Sequence, residues 1–93
     1  MARKLGREDG IAMSLNNIGM IYDSRGQYDK AIEYYKEALA IDKKLGVEGD
    51  VAISLNNIGG VYNSWGQYDK AIKCYEESLA IARKLGREGS VAL

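Results

Sequence analysis

The chain contains no histidine, one cysteine and no net charge, and each absence closes a route to function. Without histidine there is no imidazole base, no histidine-centred triad and no histidine-ligated zinc. The single cysteine, Cys74, can form neither an intramolecular disulfide nor a thiolate metal cage, so a reducing, cytoplasmic setting is the expectation. Thirteen basic residues offset thirteen acidic ones. The electrostatic attraction on which nucleic-acid binding rests is therefore missing, as is attraction to an anionic membrane. No stretch approaches the ~18 apolar residues of a membrane span. The opening Met1-Ala-Arg-Lys-Leu-Gly6 leads into no apolar core of the kind a signal peptide carries. The expectation is a chain with no enzymatic activity, no cofactor and no metal site, whose partners are neither nucleic acid nor membrane.

What is present reads as one folded domain. A chain of 93 residues sits near the lower end of the usual domain size of roughly 100–200 residues. It buries only about 60–65% of the surface its unfolded form exposes, so its core is thin. With 46% hydrophobic and 28% charged residues it lies outside the disordered and low-complexity classes.

The dominant signal is an internal repeat. Shifted by forty positions, residues 10–49 align with 50–89, and 26 of the 40 aligned pairs are identical. Ser14-Leu-Asn-Asn-Ile-Gly19 recurs as Ser54-Leu-Asn-Asn-Ile-Gly59, and Gly26-Gln-Tyr-Asp-Lys-Ala-Ile32 as Gly66-Gln-Tyr-Asp-Lys-Ala-Ile72. A shift of eighty matches Ala2-Arg-Lys-Leu-Gly-Arg-Glu8 to Ala82-Arg-Lys-Leu-Gly-Arg-Glu88. The expected organisation is the tail of a preceding unit in 1–9, repeat 1 in 10–49, repeat 2 in 50–89, and the start of a following unit in 90–93. Such a chain is expected to be an excised or engineered piece of a longer array.

Each unit reads as two helices. Ile11, Leu15, Ile18 and Tyr22 form one helical stripe, repeated by Val51, Leu55, Ile58 and Tyr62. Tyr28, Ala31, Ile32, Tyr35 and Leu39 form the next, echoed by Tyr68, Ala71, Ile72, Tyr75 and Leu79. A second line, Tyr34, Ala38, Ile41 and Leu45, widens that apolar surface, as a helix packed on two sides requires. Glycines at 26, 46, 66 and 86 are expected to end the helices in the left-handed conformation. Asp50 and Ser90 are expected N-caps; Gly10 at the matched site caps poorly, so the first helix should fray at its start.

Leu15, Ile18, Gly19, Tyr22, Ala31, Tyr35 and Ala38 resemble the signature of a tetratricopeptide repeat. Leu55, Ile58, Gly59, Tyr62, Ala71, Tyr75 and Ser78 repeat it, with serine for the last alanine. The usual period is 34 residues; the spacing of forty is similar to a longer-period class. Lys43 and Arg83 stand where the family's proline would be, so the second helix should run on. The resemblance implies an all-α fold of helix-turn-helix repeats stacked in a right-handed superhelix, an α-solenoid fragment. Gly19 and Gly59 lie inside helices, where glycine costs about 1 kcal/mol against alanine, and close approach of the partner helix, beside Ala31 and Ala71, supplies the reason. A leucine at Gly59 is expected to unfold the chain.

The resemblance further implies a protein-interaction scaffold whose first helices line a groove for a peptide or partner helix. By position the lining is Met13, Asn16, Asn17, Met20, Asp23 and Ser24 from the first unit, and Ile53, Asn56, Asn57, Gly60, Asn63 and Ser64 from the second. Asn17 and Asn57 match the position whose amide brackets a ligand backbone, offering donor and acceptor together. Asn16 and Asn56 stand where a carboxylate clamp would carry lysine, so a neutral, amide-rich floor is expected instead. The asparagines are also suited to bonds between neighbouring first helices. Trp65, in place of Arg25, either packs over its helix pair or anchors a partner, and Cys74 is expected to be a half-buried packing residue. The alternative function is self-assembly: both ends look like interior surfaces, which would make the chain a homo-oligomer through its repeat ends.

Overall fold

A computed structural model describes residues 2–87, with side chains described over 7–86. Four helices follow one another: α1 (Ala2–Ser24), α2 (Tyr28–Leu45), α3 (Glu48–Ser64) and α4 (Tyr68–Arg87). No strand occurs among the described residues. The fold is all-α, built of two helix hairpins. α1 packs on α2, α3 packs on α4, and α2 joins the hairpins by packing on α3.

Three glycines turn the chain. Gly26, Gly46 and Gly66 have φ of 76°, 74° and 81°, a region that costs other residues a clash at Cβ. At each turn the following amide closes a six-residue loop: Gln27 donates to Tyr22 O at 2.9 Å, Val47 to Asp42 O at 3.2 Å, and Gln67 to Tyr62 O at 2.8 Å. These bonds satisfy carbonyls that a helix end leaves free. Gly86 differs from its matched residue Gly46. It lies inside α4, which runs on to Arg87. The turn at Gly46 is tied down by Val47 and the start of α3, and the counterparts after Arg87, Ser90 among them, lie outside the described residues.

Two helix starts also differ from expectation. α3 begins at Glu48 after Val47, which makes no side-chain cap bond. Asp50 therefore sits in the first turn beside Glu48, where both carboxylates face the positive end of the helix dipole. α1 passes through Gly10 without a break. A Cβ built there would meet nothing within 4 Å, so no packed neighbour interrupts the helix at that position.

The core sits at the joint between the hairpins, where Ala31, Ile32 and Tyr35 of α2 meet Ile58 and Val61 of α3. Tyr22, Tyr28, Leu39, Tyr62 and Cys74 pack against this cluster. Burying each large aliphatic here contributes about 1.5–3 kcal/mol. Ser78 Oγ donates to Ala52 O at 2.8 Å, which accounts for serine at the position where the first hairpin has Ala38. One exposed ion pair repeats with the sequence: Lys44 Nζ meets Glu8 Oε2 at 2.7 Å, and Lys84 Nζ meets Glu48 Oε2 at 2.8 Å.

The two end faces of the stack are the exposed counterparts of this joint. Ile32 is 6% exposed and its counterpart Ile72 52%. On the other side Val61 is fully buried, while Ile21 is 55% exposed. The side chains are near-identical; what differs is that α2 and α3 cover each other, and no described helix covers the matching faces of α1 and α4.

Candidate functional site

Along α1, Met13, Asn17 and Met20 are spaced four and three residues apart, and Ile53, Asn57 and Gly60 repeat that spacing on α3. Such spacing places each trio on one face of its helix. Met13, Met20 and Ile53 are exposed, as are Asn17, Ser24, Asn56, Asn63 and Ser64, while Asn16, Asp23, Asn57 and Gly60 are half-buried. The face is thus a mixed surface of apolar side chains and free amides. The asparagines of α1 make no hydrogen bond to those of α3 among the described residues. That removes the bridging role expected of them as an alternative.

At the seam between α1 and α3 lies a small cavity of about 70 Å³ lined by Asp9, Ala12, Met13, Asn16, Asp42, Asp50 and Ile53. Three of the residues expected from sequence, Met13, Asn16 and Ile53, come together here; Asn17, Met20, Asp23, Ser24, Asn56, Asn57, Gly60, Asn63 and Ser64 lie along the helices outside it. Asn16 Oδ1 is buried with no hydrogen-bond partner.

The seam overturns the expectation of a neutral floor. Three carboxylates border it, because the C-terminal end of α2 brings Asp42 against α3, while α1 and α3 supply Asp9 and Asp50. Asp42 is buried and accepts a hydrogen bond from Ser54 Oγ at 3.0 Å. Burial pushes its carboxyl above the ordinary carboxylate range; the Ser54 bond opposes that, and the negative charges of Asp50 and Asp9 add to it. With the free Asn16 oxygen, the seam is a cluster of hydrogen-bond acceptors. It suits a donor such as an ammonium, a guanidinium or an amide N–H. A signal for this was in the sequence: Asp42 follows Ala38 by four residues and precedes Leu45 by three, a carboxylate on a buried stripe, and its counterpart is Ala82.

Trp65 packs and still stays exposed. Its ring stacks on Tyr62 at 6.4 Å and meets Tyr28 of the first hairpin at 6.0 Å, with 42% of the residue open to solvent. Cys74 is half-buried; burial raises its thiol pKa, Glu77 raises it further and Lys36 opposes them. A thiol held protonated is a poor nucleophile. Among the described residues no group of three histidine, cysteine, aspartate or glutamate side chains is arranged to hold a metal ion. No described helix is long and apolar enough to cross a membrane. A family model described as a tetratricopeptide repeat matches residues 1–44 and, in a second placement, 10–84. No curated protein matches the chain.

Proposed function

Because the chain belongs to the tetratricopeptide repeat family, whose repeats are protein-interaction modules, we propose that it binds a peptide or partner helix along the α1 and α3 face. The observation that carries this reading is the exposure of Met13, Met20 and Ile53 on helix faces that also present Asn17 and Asn57. Met13, Met20 and Ile53 would bury ligand side chains, and the two amides would pair with ligand backbone irrespective of sequence. The acceptor-rich seam adds a preference: a basic side chain near Met13 and Ile53. The reading is of a binding surface with no catalytic step.

The test uses peptides selected on the chain from a random display library and measured by fluorescence anisotropy. Asn17→Ala combined with Asn57→Ala is expected to abolish binding, at least a hundredfold, with the melting temperature unchanged. Full binding by the double variant rejects the amide ladder.

A second reading, self-assembly through the repeat ends, is favoured by the matched exposure of Ile72 and Ile21 against buried Ile32 and Val61. We infer that the α4 face of one copy can dock on the α1 face of the next as α2 docks on α3. That joint would carry Ala82 where the internal one buries Asp42, so no carboxylate is desolvated. Light scattering over a hundredfold concentration range is then expected to show a mass that climbs above 10.3 kDa. Ile72→Lys or Ile21→Lys alone should stop growth, whereas the two variants mixed should form dimers only, since the joint is heterologous. A constant 10.3 kDa for the unaltered chain excludes the reading.

A further inference from the structure

The two hairpins differ at two aromatic positions: Trp65, which lies against Tyr62, stands for Arg25, and Cys74 stands for Tyr34. In the first hairpin, the Tyr34 ring stacks on Tyr22 with centroids 5.4 Å apart and planes 12° from parallel. The counterpart of Tyr22 is Tyr62, and the counterpart of Tyr34 is Cys74. Where the first hairpin has a ring, the second has a hollow of about 300 Å³ between α2 and α4, floored by Leu39, Ile58 and Tyr62 with Cys74 on its wall.

The rim is basic. Lys36 and Lys43 border it from α2, Lys70 and Lys73 from α4, with Glu77 the acidic residue among the lining. Lys70 Nζ already lies 5.5 Å from the Tyr62 ring centre. This excess of positive charge belongs to the joint and not to the repeat: the counterparts of Lys36 and Lys73 are Glu76 and Glu33. Like charges on facing helices repel, and an anion between them converts repulsion into pairing. All three helices that form the hollow lie within the described stack, and the hollow shares no lining residue with the α1–α3 seam.

We propose that this hollow is a second docking site, which takes an aromatic side chain from an acidic segment of a partner protein. The ring enters where the first hairpin has Tyr34 and lies against Tyr62; carboxylates flanking it meet the lysines. The two chemical requirements are joint. A ring without charge leaves the lysines facing one another, and charge without a ring leaves the apolar floor exposed.

The probe is the peptide acetyl-Asp-Glu-Trp-Glu-Asp-amide, titrated into the labelled chain and followed by amide chemical shifts. Saturable shifts are expected at Leu39, Ile58, Tyr62 and Cys74, and their midpoint should move to higher peptide concentration as salt is raised. Replacing the tryptophan by alanine, or every acidic residue by lysine, should weaken binding at least tenfold. Cys74→Tyr, which installs the ring of the first hairpin, should do the same. So should Lys36→Glu with Lys73→Glu, exposed substitutions that keep the test open if the tyrosine variant fails to fold. Undiminished binding by either variant, or equal binding of the lysine peptide, overturns the proposal. Loss of binding in the Asn17→Ala, Asn57→Ala double variant with retention in Cys74→Tyr places the probe in the α1–α3 groove and overturns it as well. Failure here leaves the groove reading untouched, because its own double variant is scored on different ligands.

Discussion

Replacement of Gly19 by leucine is expected to lower the melting temperature by more than 12 °C. A Cβ at Gly19 would stand 3.1 Å from both Cδ1 and Cε1 of Tyr35 and 3.2 Å from Ala31 O. Tyr35 is 4% exposed and belongs to the joint between the hairpins, and a helix carbonyl cannot give way. Three further carbons would have to enter the same space. Overpacking of this kind costs about 3 kcal/mol or more when neighbours cannot move, and each kcal/mol shifts the midpoint by about 4–8 °C at this chain length. The chain has little reserve, since stability runs at roughly 0.05–0.15 kcal/mol per residue. Gly59→Leu is the control. There the new Cβ lies 2.9 Å from Tyr75 Cε1 and 3.2 Å from Cys74 Cβ; Tyr75 is 37% exposed, so its ring has room that Tyr35 lacks, while Cys74 Cβ is as fixed as Ala31 O. A large loss is therefore expected at both glycines, with the larger one at Gly19. Thermal melts followed by circular dichroism order the two variants; a Gly59 variant less stable than the Gly19 variant overturns this assignment of the crossing.

The contrast between the two glycines also shows what sequence could and could not say. Both stand at matched positions inside amphipathic stripes, so a close helix crossing was legible for both. Their different tolerance was not, because it depends on which face α3 covers. The same holds for the turns. Gly26, Gly46 and Gly66 were readable as helix ends and have positive φ, while Gly86 lies inside α4. Aspartate at position 50 carried a capping signal that the chain uses instead as first-turn charge, since α3 starts two residues earlier. The groove lining came from the resemblance to the repeat family, carried over by position; the exposure of Met13, Met20 and Ile53 is what the structure adds. The character of the floor was missed, since a residue of α2, outside the groove helices, decides it. In the case of Cys74 the mismatch with Tyr34 is plain in the alignment, but that it leaves a hollow among lysines follows only from how α2 and α4 lie side by side.

Substitution of Asp42 by asparagine is expected to stabilise the chain at neutral pH and to weaken the groove at the same time. Asp42 is 2% exposed, and its carboxyl is pushed above the ordinary value by burial, against the Ser54 bond and with help from Asp50 and Asp9. In the unfolded chain the group titrates near 3.9, as a free aspartate does. At pH values between the unfolded and the raised folded pKa, the folded state holds the extra proton, so stability falls as pH rises through that window. Below it both states are protonated and the penalty vanishes; above the folded pKa the penalty is complete. The sign is opposite to that of a salt-bridged aspartate. Asparagine keeps an acceptor for Ser54 Oγ and removes the buried charge, a change of about 1 kcal/mol or more, or about 4–8 °C at this size. The difference between variant and parent should shrink as pH is lowered through that window, because the parent takes up a proton at the same position. Subtracting the two curves cancels the contributions of the other carboxylates, which both proteins share. A gain that persists unchanged below that window, or an asparagine variant less stable at pH 7, contradicts the buried-charge account. The same variant informs the groove: if the seam receives a basic side chain, affinity for lysine-bearing ligands selected on the parent should fall at least tenfold while stability rises. A carboxylate that costs the fold and strengthens binding is kept for the ligand, a common trade between stability and function. Equal affinity of parent and variant for those ligands would leave Asp42 as a cost without a role at the groove.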